Sequence, residues 1–201
     1  IIGRLLRANG IGTTVLEYDS DNVDVLRRLG MKVFYGDASR HDLLAAAGAS
    51  SAQLLVLAID DPDKLLGMVH TARKHFPQLT IYARARGRHD AYDLIDAGVD
   101  HVYRETLDTS LDLGVDVLKH LGFRSHQAVR ASRTFRRHDE KSVHELAQMR
   151  HDKKVYFRRA RQRIREMEEL LQSELGGRVV EEDAAWDPES MRAEIRQRYA
   201  E

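Results

Sequence analysis

Two carboxylates, Glu17 and Asp37, follow two successive predicted strands near the start of the chain. The stretch from Thr13 to Ala38 has the pattern strand, turn, helix, strand, and an acidic residue ends each strand. In open parallel sheets, ligands bind at the carboxyl ends of the strands, and a carboxylate there accepts hydrogen bonds from a ribose diol. We therefore predict that Glu17 and Asp37, with their neighbours Tyr18 and Ala38, line a nucleotide-binding cleft.

The alternative for both carboxylates is structural. Acidic side chains near the start of a helix accept hydrogen bonds from amides that have no partner within the helix. Asp19, Ser20 and Asp21 are residues of this capping type and directly follow the first strand. Capping alone therefore remains open as an explanation for Glu17 and Asp37.

The elements around this unit alternate between helix and strand. Ile1 to Asn9 is an amphipathic helix that Gly10 ends, and no strand or G-x-G-x-x-G turn precedes it in this sequence. We therefore expect the sequence to be a piece of a longer protein, and the phosphate-binding residues are not identified. Further strands are predicted at Gln53 to Ile59, Thr80 to Ala85 and His101 to Tyr103. The first of these is nearly all apolar, as expected for a strand covered on both faces.

This alternation predicts an α/β fold, a Rossmann-like doubly wound parallel sheet whose first strand is missing from the sequence, followed by a helical arm. We expect a nucleotide-binding domain over residues 1–105 and a dimerisation or crossover helix over 106–123. The stripe predicted to form the dimer contact is Leu107, Leu111, Val115, Leu118 and Leu121.

Beyond residue 123 the composition changes twice. A basic helical arm is predicted over residues 124–175, and an acidic tail over 176–201. The arm contains a coiled-coil-like seam about two heptads long, formed by Phe157, Ala160, Ile164, Met167 and Leu171. The apolar residues of the tail are too sparse for a core of their own; they are Ala184, Trp186, Met191 and Ile195.

The composition excludes several classes of function. Lys plus Arg number 32 and Asp plus Glu also number 32, so the net charge of zero predicts no global attraction to nucleic acid. The chain has no cysteine, which excludes disulfides, thiolate zinc sites and thiol nucleophiles and fits a reducing compartment. The histidines show no metal-ligand spacing, and we assign no metal and no catalytic residue. The longest apolar runs, LLVLAI and IIGRLL, are shorter than the roughly 20 residues of a membrane helix.

The run GMKVFYGDASRHDLLAAAGA, followed by AIDDP, HFP, ARAR and YRET, resembles the cytosolic nucleotide-binding (KTN or RCK) domain of Kef-type glutathione-gated potassium efflux systems. The resemblance extends from Gly3 to about Val143. It departs from the family at the front, where the glycine turn is missing, and at Asp139, where Escherichia-type members have an asparagine.

The resemblance implies a homodimer of Rossmann domains beneath a membrane antiporter of the same polypeptide, at the cytoplasmic face of the bacterial inner membrane. An adenine nucleotide, AMP or NAD(H), would lie in each cleft. Glutathione would hold the antiporter shut and its electrophile adducts would open it, with Arg4, Arg104 and Asp139 as the glutathione-binding residues. An accessory oxidoreductase subunit is a further implied partner.

Two other functions remain open on the sequence. The same fold serves NAD-dependent oxidoreductases, but the sequence has no Cys nucleophile, no separate substrate domain and no Tyr-x-x-x-Lys pair. The basic stretch from Arg124 to Arg165 also fits a nucleic-acid scaffold, but no aromatic stacking pattern accompanies it. The leading prediction is a regulatory domain that is not an enzyme and does not bind nucleic acid.

Overall fold

The computed structural model describes residues 1–175, and the chain divides into two compact units, Ile1–Arg104 and Glu105–Glu201. The first unit alternates helices and strands, as the sequence predicts. Its strands are β1 Thr14–Glu17, β2 Lys32–Tyr35, β3 Leu54–Leu57, β4 Thr80–Ala85 and β5 His101–Arg104. Its helices are α1 Ile2–Ala8, α2 Ser20–Arg28, α3 His41–Ala46, α4 Pro62–His75 and α5 Arg88–Asp96. The predicted acidic tail, 176–201, lies outside the described residues.

All strand pairing in the first unit is parallel, which confirms the predicted Rossmann-like class. β1 pairs with β2, and β3, β4 and β5 pair in that order. Within residues 1–175, no ladder joins β1 to β3. In the Rossmann strand order a further strand lies between two strands in these positions.

One face of β4 supplies much of the core of this unit. Its residues alternate between half-buried and buried, because successive side chains of a strand point to opposite faces. The buried positions are Ile81, Ala83 and Ala85. Helix α5 packs against β4 and buries Tyr92 and Leu94. The small alanine side chains allow a helix to lie close to this part of the sheet.

A second cluster connects the two ladders. Leu16 of β1 and Leu55 of β3 both pack against a buried group formed by Leu44, Ala49, Phe76 and Leu79. Strands β1 and β3 are therefore held on a common core, although within residues 1–175 no ladder hydrogen bonds join them.

The prediction that β3 is covered on both faces is wrong. Leu57 is buried, but Leu54 and Val56 are exposed. These two residues point to one face of the sheet, since they are two positions apart. An apolar run therefore did not distinguish a strand covered on both faces from one covered on a single face.

The side chain of Arg7 holds helix α1 to the end of α2. The Nη1 atom of Arg7 donates to the carbonyl oxygens of Leu29 and Gly30, at 2.8 Å each. These carbonyls lie where α2 ends, at the negative end of its dipole, so a cation there is stabilising. Gly30 has a φ of +74°, which favours glycine, and a Cβ at this position would lie 3.1 Å from Arg7.

The second unit is helical. It contains α6 Leu107–His120, α7 Ser125–Met149 and α8 Lys153–Leu175. Helix α7 packs against both α6 and α8. Asp152 begins α8, because its Oδ1 accepts hydrogen bonds from the amides of Lys154 (2.9 Å) and Val155 (3.1 Å). The basic arm is thus two helices joined by a short turn.

Two predicted apolar patterns in this unit are only partly buried. On α6, Val115 is buried, whereas the exposed large apolar residues are Leu113, Val117 and Leu121, of which only Leu121 belongs to the predicted stripe. On α8, Phe157 and Ile164 are 56% and 54% exposed. The spacing identified the helices, but it did not give the orientation of each helix against its neighbour, because that depends on which residues the neighbouring helix offers.

An ion-pair cluster joins α7 to α8. Both Arg159 and Arg163 donate to the carboxylate of Glu145, and Arg163 Nη1 also lies 2.9 Å from Glu166 Oε2. Burial alone raises the pKa of Glu145, but the hydrogen bonds from Arg159 and Arg163 outweigh it and hold that pKa below its ordinary value. This part of the arm is therefore held together by charge as well as by apolar contact.

Candidate nucleotide-binding site

Glu17, the last residue of β1, has its carboxylate oriented by the turn that follows. Its Oε1 accepts hydrogen bonds from the amides of Tyr18 (2.9 Å) and Asp19 (3.1 Å). Within residues 1–175, no hydrogen bond reaches its Oε2. An ionised carboxylate accepts several hydrogen bonds, so Glu17 can hold its turn and still accept from a ligand hydroxyl. Asp19, not Glu17, caps α2, because its side chain accepts from the amide of Asp21.

Asp37 follows β2, whose residue Tyr35 lies directly opposite Glu17 in the parallel ladder. Its Oδ1 accepts a hydrogen bond of 2.9 Å from the amide of Ser39. Hydrogen bonds from Ser39, with the nearby charges of Lys64 and Arg40, hold the pKa of Asp37 below its ordinary value. Asp37 is therefore ionised at neutral pH, and the structure brings it to the same edge of the sheet as Glu17.

Lys64, which the sequence analysis did not identify, joins this group from α4. Its Nζ lies 5.6 Å from the centroid of the Tyr18 ring and lowers the pKa of Asp37. Tyr18 is exposed. A cation in the first turn of a helix is opposed by the helix dipole. That unfavourable position, in the run AIDDPDK, is the signal by which the sequence could have identified Lys64.

The next two strands also end in charged groups. Asp60, just after β3, forms an ion pair with Arg84 of β4. Asp61 caps α4, because its Oδ1 accepts from the amides of Asp63 (3.0 Å) and Lys64 (3.1 Å). The edge therefore carries fixed carboxylates with cations beside them, an arrangement suited to a ligand with hydroxyls and a charged group.

The predicted nucleotide residues are brought together, because Glu17, Tyr18, Asp37 and Ala38 all lie at the ends of the paired strands β1 and β2. Asp37 caps no helix: α3 begins with Arg40 as its N-terminal flanking residue. Neither Glu17 nor Asp37 therefore caps a helix. In the part of the chain that the structure describes, each accepts backbone hydrogen bonds only within the short turn that follows its strand.

The three predicted glutathione residues belong to three different elements. Arg4 is exposed on α1, and Arg104 ends β5 half-buried. Asp139 lies in α7 of the second unit and is 3% exposed. A direct contact between a ligand and Asp139 requires the surrounding helices to open, so its assignment stays a prediction that the observed burial does not favour.

Within residues 1–175, no group of three or more His, Asp or Glu side chains is placed to hold a metal ion. No helix in the same range is both long enough and apolar enough to cross a membrane.

Two family models match the chain, one for each compact unit. The TrkA-N domain matches residues 1–105, and the potassium efflux system KefB C-terminal domain matches residues 109–186. The TrkA-N match covers the strand ends that carry Glu17 and Asp37, and the KefB match covers the helical unit.

Solved structures show the same relationship. The chain is 49% identical to a Shewanella denitrificans Kef C-terminal domain in its AMP-bound form, with a TM-score of 0.68 over 74% of this chain and 90% of that one. It is 25% identical to the TrkA-N domain of the Escherichia coli inner membrane protein ybaL, with a TM-score of 0.52 over 56% of this chain and 83% of that one. The GsuK channel bound to NAD, at 22% identity and a TM-score of 0.52, is similar over 56% of this chain and 20% of that one, and supports the fold alone.

The fold defines a Rossmann-type domain of the TrkA-N class. Within that class, the chain belongs to the C-terminal KTN/RCK regulatory domains of Kef-type potassium efflux systems. Such a domain is a regulator of a transporter and not an enzyme, so the oxidoreductase alternative is set aside.

Proposed function

We propose that this regulatory domain binds an adenine nucleotide, with AMP as the first candidate, at the carboxyl edge of β1 and β2. The observation that carries the proposal is the geometry of Glu17, whose carboxylate is oriented by two turn amides and keeps one oxygen for a ligand. The AMP-bound state of the Shewanella domain, 49% identical to this chain, supports the choice of ligand. NAD(H) remains the second candidate, because dinucleotides bind the same edge of this fold.

Each edge residue has a distinct role in the proposal. Glu17 accepts hydrogen bonds from the ribose diol, and Tyr18 offers its exposed ring beside the ligand. Asp37 and Ala38 lie where the adenine end of the nucleotide is expected. Lys64 supplies the positive charge that a phosphate requires.

Calorimetry with AMP and with NADH on the parent chain and on Glu17→Ala tests the proposal. The loss of a charged acceptor is worth roughly 1.5–3 kcal/mol, so we expect AMP affinity to fall by about ten- to a hundredfold. The matched control is Glu140→Ala, an exposed glutamate on α7. Unchanged affinity for both nucleotides in Glu17→Ala would refute the assignment of Glu17.

We further propose that the domain acts as the gate of a potassium/proton antiporter that belongs to the same polypeptide, at the cytoplasmic face of the bacterial inner membrane. Membership of the Kef family supports this proposal. Glutathione would favour the closed state and its adducts the open state, with Arg4 and Arg104 holding the ligand carboxylates, since guanidinium groups bind carboxylates in a bidentate way.

The functional unit proposed here is a homodimer. Two exposed apolar surfaces support it, one on β3 with Leu54 and Val56, and one on α6 with Leu113 and Val117. Exposed apolar patches of this kind mark sites of protein association. An accessory oxidoreductase subunit stays a prediction.

A further inference from the structure

The solvent-facing side of α8 carries an open basic groove. The groove has a volume of about 460 Å³ and is lined by Lys153, Lys154, Phe157, Arg158, Arg161 and Arg165. These residues share one face of the helix, because positions four apart lie one above the other. The face of α8 that points away from α7 thus carries a row of cationic side chains and one aromatic ring.

The five cations of this groove have no carboxylate partner within residues 1–175. Two other arginines of the same helix, Arg159 and Arg163, are both paired with Glu145 on α7. The groove also lies beside two exposed apolar side chains, Phe157 and Ile164. A surface that combines unpaired cations with exposed apolar groups fits an acidic segment that contains an aromatic anchor.

Such a segment follows α8 in the same chain. The run EEDAAWDPE, from Glu181 to Glu189, has five acidic residues, no Lys or Arg, and Trp186 as its sixth residue. Trp186 is the only tryptophan among the 201 residues. The charge of the segment is opposite to that of the groove. Its aromatic residue, Trp186, can pack against the exposed ring of Phe157.

The connection is long enough for the segment to turn back on its own helix. Arg165 lies ten residues before Leu175, the last described residue of α8, which is about 15 Å along the helix axis. The six residues from Gly176 to Glu181 span up to about 20 Å when extended. The nine residues from Glu181 to Glu189 span up to about 30 Å, more than the roughly 18 Å from Arg165 back to Lys153.

We propose that the acidic segment Glu181–Glu189 docks intramolecularly on the basic groove of α8, with Trp186 packed against Phe157 and Ile164. The contact is held at a high effective concentration because a short linker joins the two partners. Its consequence is that the basic face of the arm is covered by the chain itself and is exposed only when the segment is displaced. An anionic membrane surface or a second copy of the chain is the competing occupant that the experiment must exclude.

The single tryptophan gives a direct measurement on the whole chain. We expect acrylamide to quench Trp186 fluorescence less in low salt than in 1 M NaCl, by roughly a factor of two, because a docked indole loses exposed surface and salt screens the ion pairs. The double variant Arg158→Glu with Arg161→Glu should show the high-salt quenching at every salt concentration. Both positions are exposed, so the fold should be retained, which circular dichroism checks.

A charge exchange separates docking from a general effect of net charge. Replacing all five groove cations by Glu together with all five acids of Glu181–Glu189 by Lys inverts the charge of both partners, keeps the net charge of the chain and should restore the protection of Trp186. The control Arg27→Glu with Arg28→Glu changes the net charge of the chain by as much as the groove variant does, but on α2, where both residues are exposed, and should leave the protection unchanged.

Three results would overturn the proposal. The first is equal protection of Trp186 in the parent chain and in the groove variant. The second is protection that disappears on hundredfold dilution, which would assign the groove to a second copy. The third is protection that appears only with vesicles of anionic lipid, which would assign the groove to a membrane surface.

Discussion

The ammonium nitrogen of Lys64, in the first turn of α4, lies 5.6 Å from the centroid of the Tyr18 ring at the end of β1. Hydrogen bonds from Ser39 lower the pKa of Asp37, which follows β2, and the charge of the same ammonium group lowers it further. The helix dipole opposes a cation at this position, whereas the aromatic ring and the carboxylate favour it. Lys64 thus connects the residues of two strands that are expected to contact the nucleotide.

We predict that Lys64→Met weakens AMP binding by about five- to tenfold, as expected when about 1 kcal/mol of partly exposed charge interaction with a phosphate is lost. Methionine keeps an unbranched apolar side chain, so the change removes chiefly the charge. Calorimetry at a fixed salt concentration measures the affinity. Adenosine, which has no phosphate, should bind the parent and the variant equally.

The chain offers a matched control for this variant. Lys32 Nζ also lies 5.6 Å from an aromatic ring centroid, that of Phe34, but Lys32 begins β2 at the opposite edge of the sheet. Lys32→Met should leave AMP affinity unchanged. If both variants bind AMP like the parent, Lys64 does not contact the phosphate.

The difference between Glu17 and Lys64 shows what the sequence can reveal about this site. Glu17 and Asp37 were predictable, because each follows a strand directly and parallel strands end at one edge. Lys64 was not, because its approach to Tyr18 depends on how α4 packs, and no local pattern encodes that packing. Its unfavourable position at a helix N-terminus was the one clue.

We predict that Glu145→Gln destabilises the helical unit by about 1–3 kcal/mol, because two partly buried arginines lose the carboxylate that pairs with them. Urea unfolding followed by circular dichroism measures the loss. The control is Glu140→Gln on the exposed side of the same helix, which should change stability by no more than about 0.5 kcal/mol.

The same pair of arginines predicts a pH dependence. The pKa of Glu145 lies below its ordinary value of 4.5, so the ionised form stabilises the folded state at and above that pH. This stability is lost as the pH falls from about 4.5 through the lower folded pKa. The advantage of the parent over Glu145→Gln should therefore be constant from pH 7 to pH 5 and shrink below that, in urea titrations at each pH. An advantage that grows as the pH falls would contradict this role.

The residues of α6 that are available for a dimer contact differ from the stripe that the helical spacing predicted. Leu111 and Leu118 are half-buried on α6, whereas Leu113 and Val117 are 66% and 50% exposed. A helical repeat indicates that a helix has an apolar side, but α6 has apolar residues on more than one side, and only the packing with α7 shows which are used within the unit. The exposed pair is therefore the surface available to a partner.

We predict that Leu113→Glu with Val117→Glu converts a dimer to a monomer without unfolding the chain, because both side chains are already exposed within it and only an interface would bury the new charges. Sedimentation velocity measures the mass. The control is Val25→Glu, an exposed apolar residue of α2, which should remain dimeric. A monomeric parent, or a dimer that survives both changes, would show that α6 does not form the interface.

The last prediction concerns Arg104 and the proposed glutathione switch. A ligand shifts a gate only by the difference in its affinity for the two states, so glutathione and its bulky thioethers must compete for one site and favour different arrangements of the domain. Arg104 ends β5 at the carboxyl edge, where its guanidinium group can bind a ligand carboxylate through two hydrogen bonds. Arg104→Lys keeps the charge but loses this bidentate geometry.

We therefore expect Arg104→Ala to abolish measurable glutathione binding and Arg104→Lys to retain a weakened form of it, in competition titrations between glutathione and a bulky thioether. Arg28→Ala, on the exposed face of α2, is the control and should bind both ligands like the parent. If the parent binds neither ligand, or if Arg104→Ala binds both as the parent does, the domain senses a nucleotide alone and Arg104 serves the fold. Because AMP binding rests on Glu17 and Asp37, that result would leave the nucleotide site intact.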